Sequence, residues 1–328
     1  MLPEGAVMMC CIGTLGKIGI AGRSLATNQQ INSVVFDRSL VFPKFGYYAC
    51  RLLKPAMECM AQATTLPIIS KSKFQELQIP LPPLAEQKRI AAILDAADAL
   101  RAKRREALAQ LDALLQSTFL TLFGDPVTNS KSWKAQKLSS LQTNVQIGPF
   151  GSLLHKEDYI EGGIPLINPM HIVSGKVVVR EGQTISEKKA ATLEGYRLKS
   201  GDVIMGRRGE MGRCAVISEQ EQGMICGTGS LFLRPDPKEF TSLFLFSLMS
   251  SEAMKRKLNE LAWGVTMPNL NRTMIEGLAV PLPPLPLQQK FAVIVESIER
   301  QKSTQRAHLA ELDALFAALQ HRAFRGEL

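Results

Sequence analysis

Three glycine-punctuated segments of this 328-residue chain carry side chains able to address an anion or the edge of a nucleic-acid base. The first, QIGPFGSLLHKEDYIEGGIPLINPMHI, sets Gln146, Ser152 and Lys156 around a turn formed by Gly148, Pro149, Phe150 and Gly151. Such a turn lets backbone approach another molecule closely, and its donors suit phosphate oxygens or base edges; the same residues also suit a structural hairpin. The second, GRRGEMGR, crowds Arg207, Arg208 and Arg213 between Gly206, Gly209 and Gly212. Arginine forks on such a turn fit phosphate contact or bidentate guanine recognition. The third, WGVTMPNLNRT, offers Thr266, Asn269, Asn271 and Arg272. Polar loop residues are often simply solvated, so it is the company of the other two segments that makes them candidates.

Patterns that would perform catalysis are imitated and then broken. GTLGKIG is not a phosphate-binding loop, because the glycine four residues before the Gly-Lys pair is missing and isoleucine follows the lysine. INPMHI, from Ile167 to Ile172, faintly resembles the Asn-Pro-Pro-aromatic loop of adenine methyltransferases, but Met170 and His171 stand where the second proline and the aromatic ring would be. Asp158, Glu187 and Lys189 imitate a metal-dependent nuclease triad, although acidic and basic residues scattered in this way are common. Six cysteines (Cys10, Cys11, Cys50, Cys59, Cys214, Cys226) include no C-x-x-C pair and only four histidines accompany them, so the cysteines read as small buried hydrophobes in a reducing compartment. No catalytic residue, metal ligand or cofactor site is expected.

The 39 Lys and Arg exceed the 30 Asp and Glu to give +9, which is compatible with a polyanionic partner. At 45% hydrophobic and 21% charged residues the chain can bury real cores, and no apolar run approaches the roughly 18 residues of a membrane span. The opening MLPEGAVMMCCIG lacks a positively charged stretch ahead of its apolar run, so a secretory signal is not expected and a cytoplasmic location is.

The elements that must position these residues occur twice. IPLPPLAEQKRIAAIL from Ile79 matches VPLPPLPLQQKFAVIV from Val280, and the same offset of 201 places Leu111, Asp112, Ala113, Leu114 and Phe123 on Leu312, Asp313, Ala314, Leu315 and Phe324. Farther upstream the offset becomes 196, with Gly5, Gly13 and Gly16 on Gly201, Gly209 and Gly212. In the first copy the basic loop becomes CCIGTLGK with only Lys17, and the third segment becomes TTLPIISKS with Thr65 and Lys71. The second copy has about 65 further residues, Trp133 to Arg197, ahead of the shared part, so the first copy is expected to lack its front.

Each copy changes texture at its PLPP run, where proline forbids helix interior. Before it lie short β-rich runs divided by Gly, Pro and Asn; after it comes one long amphipathic helix. Some 35 to 40 residues at 1.5 Å each make a rod of roughly 50 to 60 Å, too long for one small domain to cover. Two such rods should pack on each other. Ile90, Leu94, Leu108, Leu111 and Leu115 in one, with Ile294, Ile298, Leu309, Leu312 and Phe316 in the other, are expected to carry rod-to-rod and partner contacts. Both central turns are polar, Arg101, Lys103, Arg104 and Arg105 against Arg300, Gln301, Lys302, Gln305 and Arg306. Solvated faces and a strip facing a partner or phosphate backbone are the two readings of these charges.

The duplicated proline run and helix, GPFGS with EGGIPLIN, GDVIMGRRGEMGR, and FGDPVTNSKSWKAQKL together resemble the specificity (S) subunit of type I restriction-modification systems. The resemblance covers essentially the whole chain. It implies an α+β fold in which two mixed α/β target-recognition domains alternate with two long helices paired as an antiparallel coiled coil. Residues 1–83 would be a partial first recognition domain, 84–123 the first spacer helix, 124–280 the second recognition domain, and 281–328 the second spacer helix and C-terminus. Each recognition domain would read half of a gapped double-stranded DNA target. The resemblance also implies two methylation subunits, which bind S-adenosylmethionine, and two ATP-dependent restriction subunits, the S subunit itself catalysing nothing and touching no membrane. A truncated or silent copy that binds partners without full DNA specificity is the alternative reading.

Overall fold

The sequence repeat is a repeat of elements in the computed structural model, which describes residues 1–61, 66–141, 143–179, 182–262 and 269–328. Contacts divide the chain into one unit of residues 1–109 with 302–328 and another of residues 110–301. The first unit begins with a three-stranded antiparallel sheet of β1 (Val7–Cys10), β2 (Ile18–Ile20) and β3 (Ile31–Val34), with β1 central. Helices α1 (Pro43–Arg51), α2 (Lys54–Met60) and α3 (Lys71–Gln75) follow, and then the long α4 (Leu84–Phe123).

The second unit adds β4 (Ala135–Lys137), β5 (Asn144–Ile147), β6 (Tyr159–Ile160), β7 (Ile164–Ile167), β8 (Ile172–Val173), β9 (Lys176–Val177), β10 (Thr184–Ile185) and α5 (Glu187–Thr192). It then repeats the first unit's order. Strands β11 (Val203–Gly206), β12 (Cys214–Val216), β13 (Ile225–Cys226) and β14 (Ser230–Arg234) lead to α6 (Ser242–Ser250), α7 (Glu252–Leu261), α8 (Arg272–Glu276), β15 (Ala279–Pro281) and the long α9 (Leu285–Ala323). The sheet order β12-β11-β14 reproduces β2-β1-β3, with β5 added at its edge. A second sheet, β13-β7-β10-β6, has no counterpart among the described residues of the first unit.

Three glycine pairs show how closely the copies agree. Gly5, Gly13 and Gly16 have φ of 83°, 79° and 73°, and Gly201, Gly209 and Gly212 have 88°, 75° and 74°. A side chain is strained in that left-handed region, so the turns that place β1 and β11 need glycine. Gly124, at φ 77°, ends α4 in the same manner, and a Cβ there would strike Ser130.

The core of the second unit is built around Phe119, Phe123, Phe240, Phe244 and Phe291, with Phe123 in edge contact with Phe244 at 4.7 Å and Phe291 at 5.3 Å. The first unit buries Phe45, Tyr48, Ile90, Leu94 and Phe316 together. Burying a side chain of this size contributes about 1.5 to 3 kcal/mol, so these residues hold the long helices to α6 and the sheet in the second unit and to α1 in the first. Ile90, Leu94, Ile298 and Phe316 are buried, Leu115 packs against the second core, and Leu108, Leu111, Ile294, Leu309 and Leu312 are half-buried. The buried members are enclosed within the chain and do not present a partner surface, which corrects that part of the expectation. The large apolar side chains that the rods expose are Leu100, Leu114, Leu120, Val293 and Leu315.

The polar middle of the rods is solvated in part, as one reading expects, and in part engaged between the helices. In the first unit the helices run antiparallel, with Arg101 Nε donating to Asp313 at 2.6 Å and Arg104 to Gln305 at 2.7 Å. The Arg101 guanidinium lies 4.3 Å from the centre of the Phe316 ring, and Lys302 is buried. Half of this layer therefore ties helix to helix, the role a buried polar position plays in setting register. Arg105 is exposed yet also reaches Asp313 at 3.2 Å, and Lys103, Arg300 and Arg306 are exposed.

Four of the six cysteines are buried as expected, while Cys10 is half-buried and Cys59 exposed. The buried four, Cys11, Cys50, Cys214 and Cys226, are reduced, with burial pushing the Cys50 thiol up to about 11. A solvent-facing helical position costs a small side chain little, which is why composition alone misplaced Cys59.

Candidate nucleic-acid interface

Backbone packing brings the three glycine-punctuated segments of the second unit together. Gly148 follows β5 and donates its N–H to Ser230 O at 3.0 Å, and a Cβ on it would strike the Gly227 carbonyl. Gly227 in turn lies against Asn168, and Gly229 against Pro169, too closely to carry a side chain. The Asn168 amide donates to Gln183 at 2.9 Å and accepts from Gly229 N at 3.1 Å, so both its groups are committed to holding these loops.

The basic loop joins the same frame. Arg207 N donates to Gly229 O at 3.0 Å, Leu270 N donates to Arg207 O at 2.9 Å, and Arg208 forms an isolated antiparallel bridge with Asn269. These contacts stack the turn at Gly148, the loop 227–230, the arginine loop and residues 269–270 in one place. The first unit has the same backbone frame. Cys11 N donates to Gln30 O at 2.9 Å, Ile69 N to Cys11 O at 2.9 Å, and Ile12 bridges Ile68. One chassis thus carries Cys11 and Ile12 in the first unit and Arg207 and Arg208 in the second.

Just past the end of β11 the two adjacent arginines differ sharply in burial. Arg207 points inward, 6% exposed, with Nε on Thr228 O at 3.0 Å and a second nitrogen on Leu270 O at 3.4 Å. Burial, and secondarily the Arg208 charge, lowers its guanidinium from the ordinary arginine value. This corrects the expectation that Arg207 faces an anion or a base: its side chain is buried, with two of its N–H groups on backbone carbonyls. Arg208 points outward and is exposed, without an ion pair among the described residues. Arg213 is half-exposed and divided between the Glu210 carboxylate and Pro169 O at 3.2 Å. It borders an open cavity of about 610 Å³ that Lys255, Phe246 and Met170 also line.

Beyond the glycine base the first segment is presented to solvent. Phe150 is 62% exposed, Gly151 has φ of 63°, and Ser152 and Lys156 are exposed. Gln146 is half-buried on β5 and donates to its neighbour Ile147 O at 3.1 Å. The Asn271 side-chain oxygen caps α8 by accepting from Met274 N at 2.9 Å, and Arg272 pairs with Glu276 at 2.6 Å. Asn269 is half-buried beside Arg208, and Lys17 and Lys71 are exposed in the first unit. Thr65 and Thr266 lie outside the described residues.

The residues of the nuclease-like triad do not converge on a metal. Asp158 pairs with Lys189 at 2.9 Å, and its carboxyl is held below the usual range chiefly by the His155 backbone N–H. Glu187 pairs instead with Arg197 at 2.9 Å. Among the described residues no cluster of His, Cys, Asp and Glu is arranged to hold a metal ion, and no helix is long and apolar enough to cross a membrane.

Sequence reasoning passed over Gln87 and Gln288, which the offset of 201 places on one another, and the ion pair of Asp202 with Arg234. The repeat itself held the signal for the glutamines. Nothing local held it for the ion pair, since Ala6 stands at the position equivalent to Asp202.

Residues 1–110 and 146–314 match the family model described as type I restriction modification DNA specificity domain. The MjaVIII specificity subunit of Methanocaldococcus jannaschii, a type I restriction enzyme component, is 23% identical over 91% of this chain and 72% of its own length. The EcoBI specificity subunit of Escherichia coli is 24% identical over 92% of this chain and 69% of its own. A chain from a structure concerned with complex assembly and conformational transition of the type I R-M system shares the fold, with a TM-score of 0.62 at 19% identity. That match covers 100% of this chain and 83% of the other.

Proposed function

Because the chain belongs to the family of type I restriction-modification DNA specificity domains, we propose that it reads a bipartite, asymmetric double-stranded DNA target, one half through each unit. The observation that carries the reading is the shared chassis. In both units it gathers three loops that are distant in the sequence, and each unit displays its own side chains on it. Arg208, Phe150, Ser152 and Lys156 are the exposed reading and positioning groups of the second unit, with Lys17 and Lys71 serving the first. The chain contributes recognition and no bond chemistry. Methyl transfer from S-adenosylmethionine and ATP-dependent cutting belong to two methylation and two restriction subunits, which it positions in the cytoplasm. The long helices act as the ruler between the half-sites.

Mapping methylated adenine by long-read sequencing of host DNA, with the gene present and deleted, tests this directly. A gapped bipartite motif should vanish on deletion, and an unchanged pattern would refute the reading. On the mapped target, Arg208→Ala should lower affinity by about 1 to 3 kcal/mol if the fork meets a base, with discrimination relaxed at that base. Lys156→Ala should weaken all sequences alike and reduce the salt slope by about one. Binding by either variant that matches the parent at several salt concentrations would remove that loop from the interface. Deleting one heptad from each rod should shorten the gap in the methylated motif while leaving its half-sites intact. A motif with its original gap would defeat the ruler.

A further inference from the structure

Each long helix begins with a buried glutamine whose side chain makes three hydrogen bonds to two separate pieces of backbone, the loop entering α1 or α6 and the proline run. Gln87 Nε2 donates to Leu40 O at 2.9 Å and Pro82 O at 2.8 Å, while its Oε1 accepts from Phe42 N at 2.8 Å. Gln288 repeats the pattern, donating to Glu239 O and Pro283 O at 2.9 Å each and accepting from Thr241 N at 2.9 Å. Both side chains are 0% exposed. Phe42 and Thr241 are the residues that cap α1 and α6, and Pro82 and Pro283 belong to the PLPP runs.

The chemistry explains why the residue is glutamine. Proline has no N–H, so a proline run leaves carbonyls with no neighbouring ladder to satisfy them, and the cap residue leaves an N–H pointing away from its helix. A neutral amide supplies two donors and an acceptor in one plane. Glutamate would present only acceptors to two carbonyls, and lysine only donors to an N–H. The side chain also spans a boundary: the loop entering α1 or α6 lies on the recognition side, and the helix on the rod side.

We infer that Gln87 and Gln288 are positioning residues which fix the angle at which each recognition part is seated on its helix, and through it the gap that the protein accepts between half-sites. The inference rests on the bipartite reading proposed above. Inserting or removing one base pair displaces a half-site by about 3.4 Å and turns it by about a tenth of a helical turn. A rigid seat rejects that displacement, and a loosened one follows it.

The test uses the full chain assembled with its methylation subunits, and duplexes carrying the mapped target with its own gap or one base pair more or less. The parent protein should bind the altered gaps at least about tenfold more weakly, a penalty equivalent to 1.4 kcal/mol. Gln288→Ala should narrow that ratio to within about threefold while keeping the same half-site bases, as should Gln87→Ala. A purely stabilising role would lower the active fraction and leave the ratio alone. Gln288→Glu adds a second readout. Burial beside two carbonyls raises a carboxyl's pKa, so gap discrimination should be lost at pH 8 and return as pH falls to 5.5, where the protonated acid regains one donor. The parent's ratio should stay constant over that range. Variants that discriminate as sharply as a discriminating parent would overturn the clamp alone. A parent indifferent to the gap would overturn the bipartite reading and the clamp with it.

Discussion

Phe123→Ala is expected to destabilise the second unit by about 3 to 5 kcal/mol, the range for removing a buried ring from a packed core. Phe123 is the last residue of α4, and its ring meets Phe119, Phe244 and Phe291, so it joins the C-terminal end of one long helix to the N-terminal end of the other and to α6. Removing it opens a cavity that three stiff rings cannot collapse to fill. For a unit of this size, each kcal/mol moves the thermal midpoint by about 2 to 4 °C, so a fall of some 6 to 20 °C should appear by calorimetry. Phe123→Leu, which retains much of the volume, should fall much less. A midpoint for Phe123→Ala equal to the parent's would mean that the cluster does not hold the helices together.

Asp202→Ala should cost about 1.5 to 3 kcal/mol, because it removes a buried carboxylate and leaves Arg234, whose side chain is 29% exposed, without its partner. Asp202 is 1% exposed and sits just before β11, while Arg234 ends β14 and reaches both its oxygens at 2.8 and 2.7 Å. Asp202 also accepts from Lys199 N at 2.8 Å, so the carboxylate closes the turn that aims β11 at the arginine loop. Replacing both partners with apolar residues, as in Asp202→Leu with Arg234→Met, should recover much of the loss. The first unit supports this expectation, since Ala6, 2% exposed, occupies the equivalent position in the same frame. Denaturant unfolding of the two variants and the parent separates these outcomes; equal loss in single and double variants would show that packing, not the stranded charge, is responsible.

The functional consequence of both substitutions is indirect. Neither residue faces the candidate interface, but both hold the elements from which its loops project. DNA affinity should therefore recover on cooling well below the unfolding transition, whereas the loss caused by Arg208→Ala should persist at every temperature where the protein is folded.

The candidate site was legible in the sequence as a set of segments but not as a set of side chains. Glycine turns announced the loops because only glycine tolerates φ near 75°, and that constraint is local. Asn271, in contrast, looks like a polar loop residue until Met274 N is seen to need a cap, and Asn168 looks available until Gly229 and Gln183 are brought to it.

What the sequence determined by itself is the repeat, the break at each PLPP run and the long helices, because these follow from periodicity, proline chemistry and self-similarity, all properties of neighbours along the chain. What only the tertiary structure decided is the assignment of roles. Arg207 and Arg208 are adjacent and chemically identical, yet one is buried on Thr228 and Leu270 and the other faces solvent. The central arginines of the rods likewise read as solvated or partner-facing until Asp313 and Gln305 meet them. A strand or helix presents its faces by local geometry, but which face is buried depends on segments tens to hundreds of residues away, and no local pattern encodes their arrival.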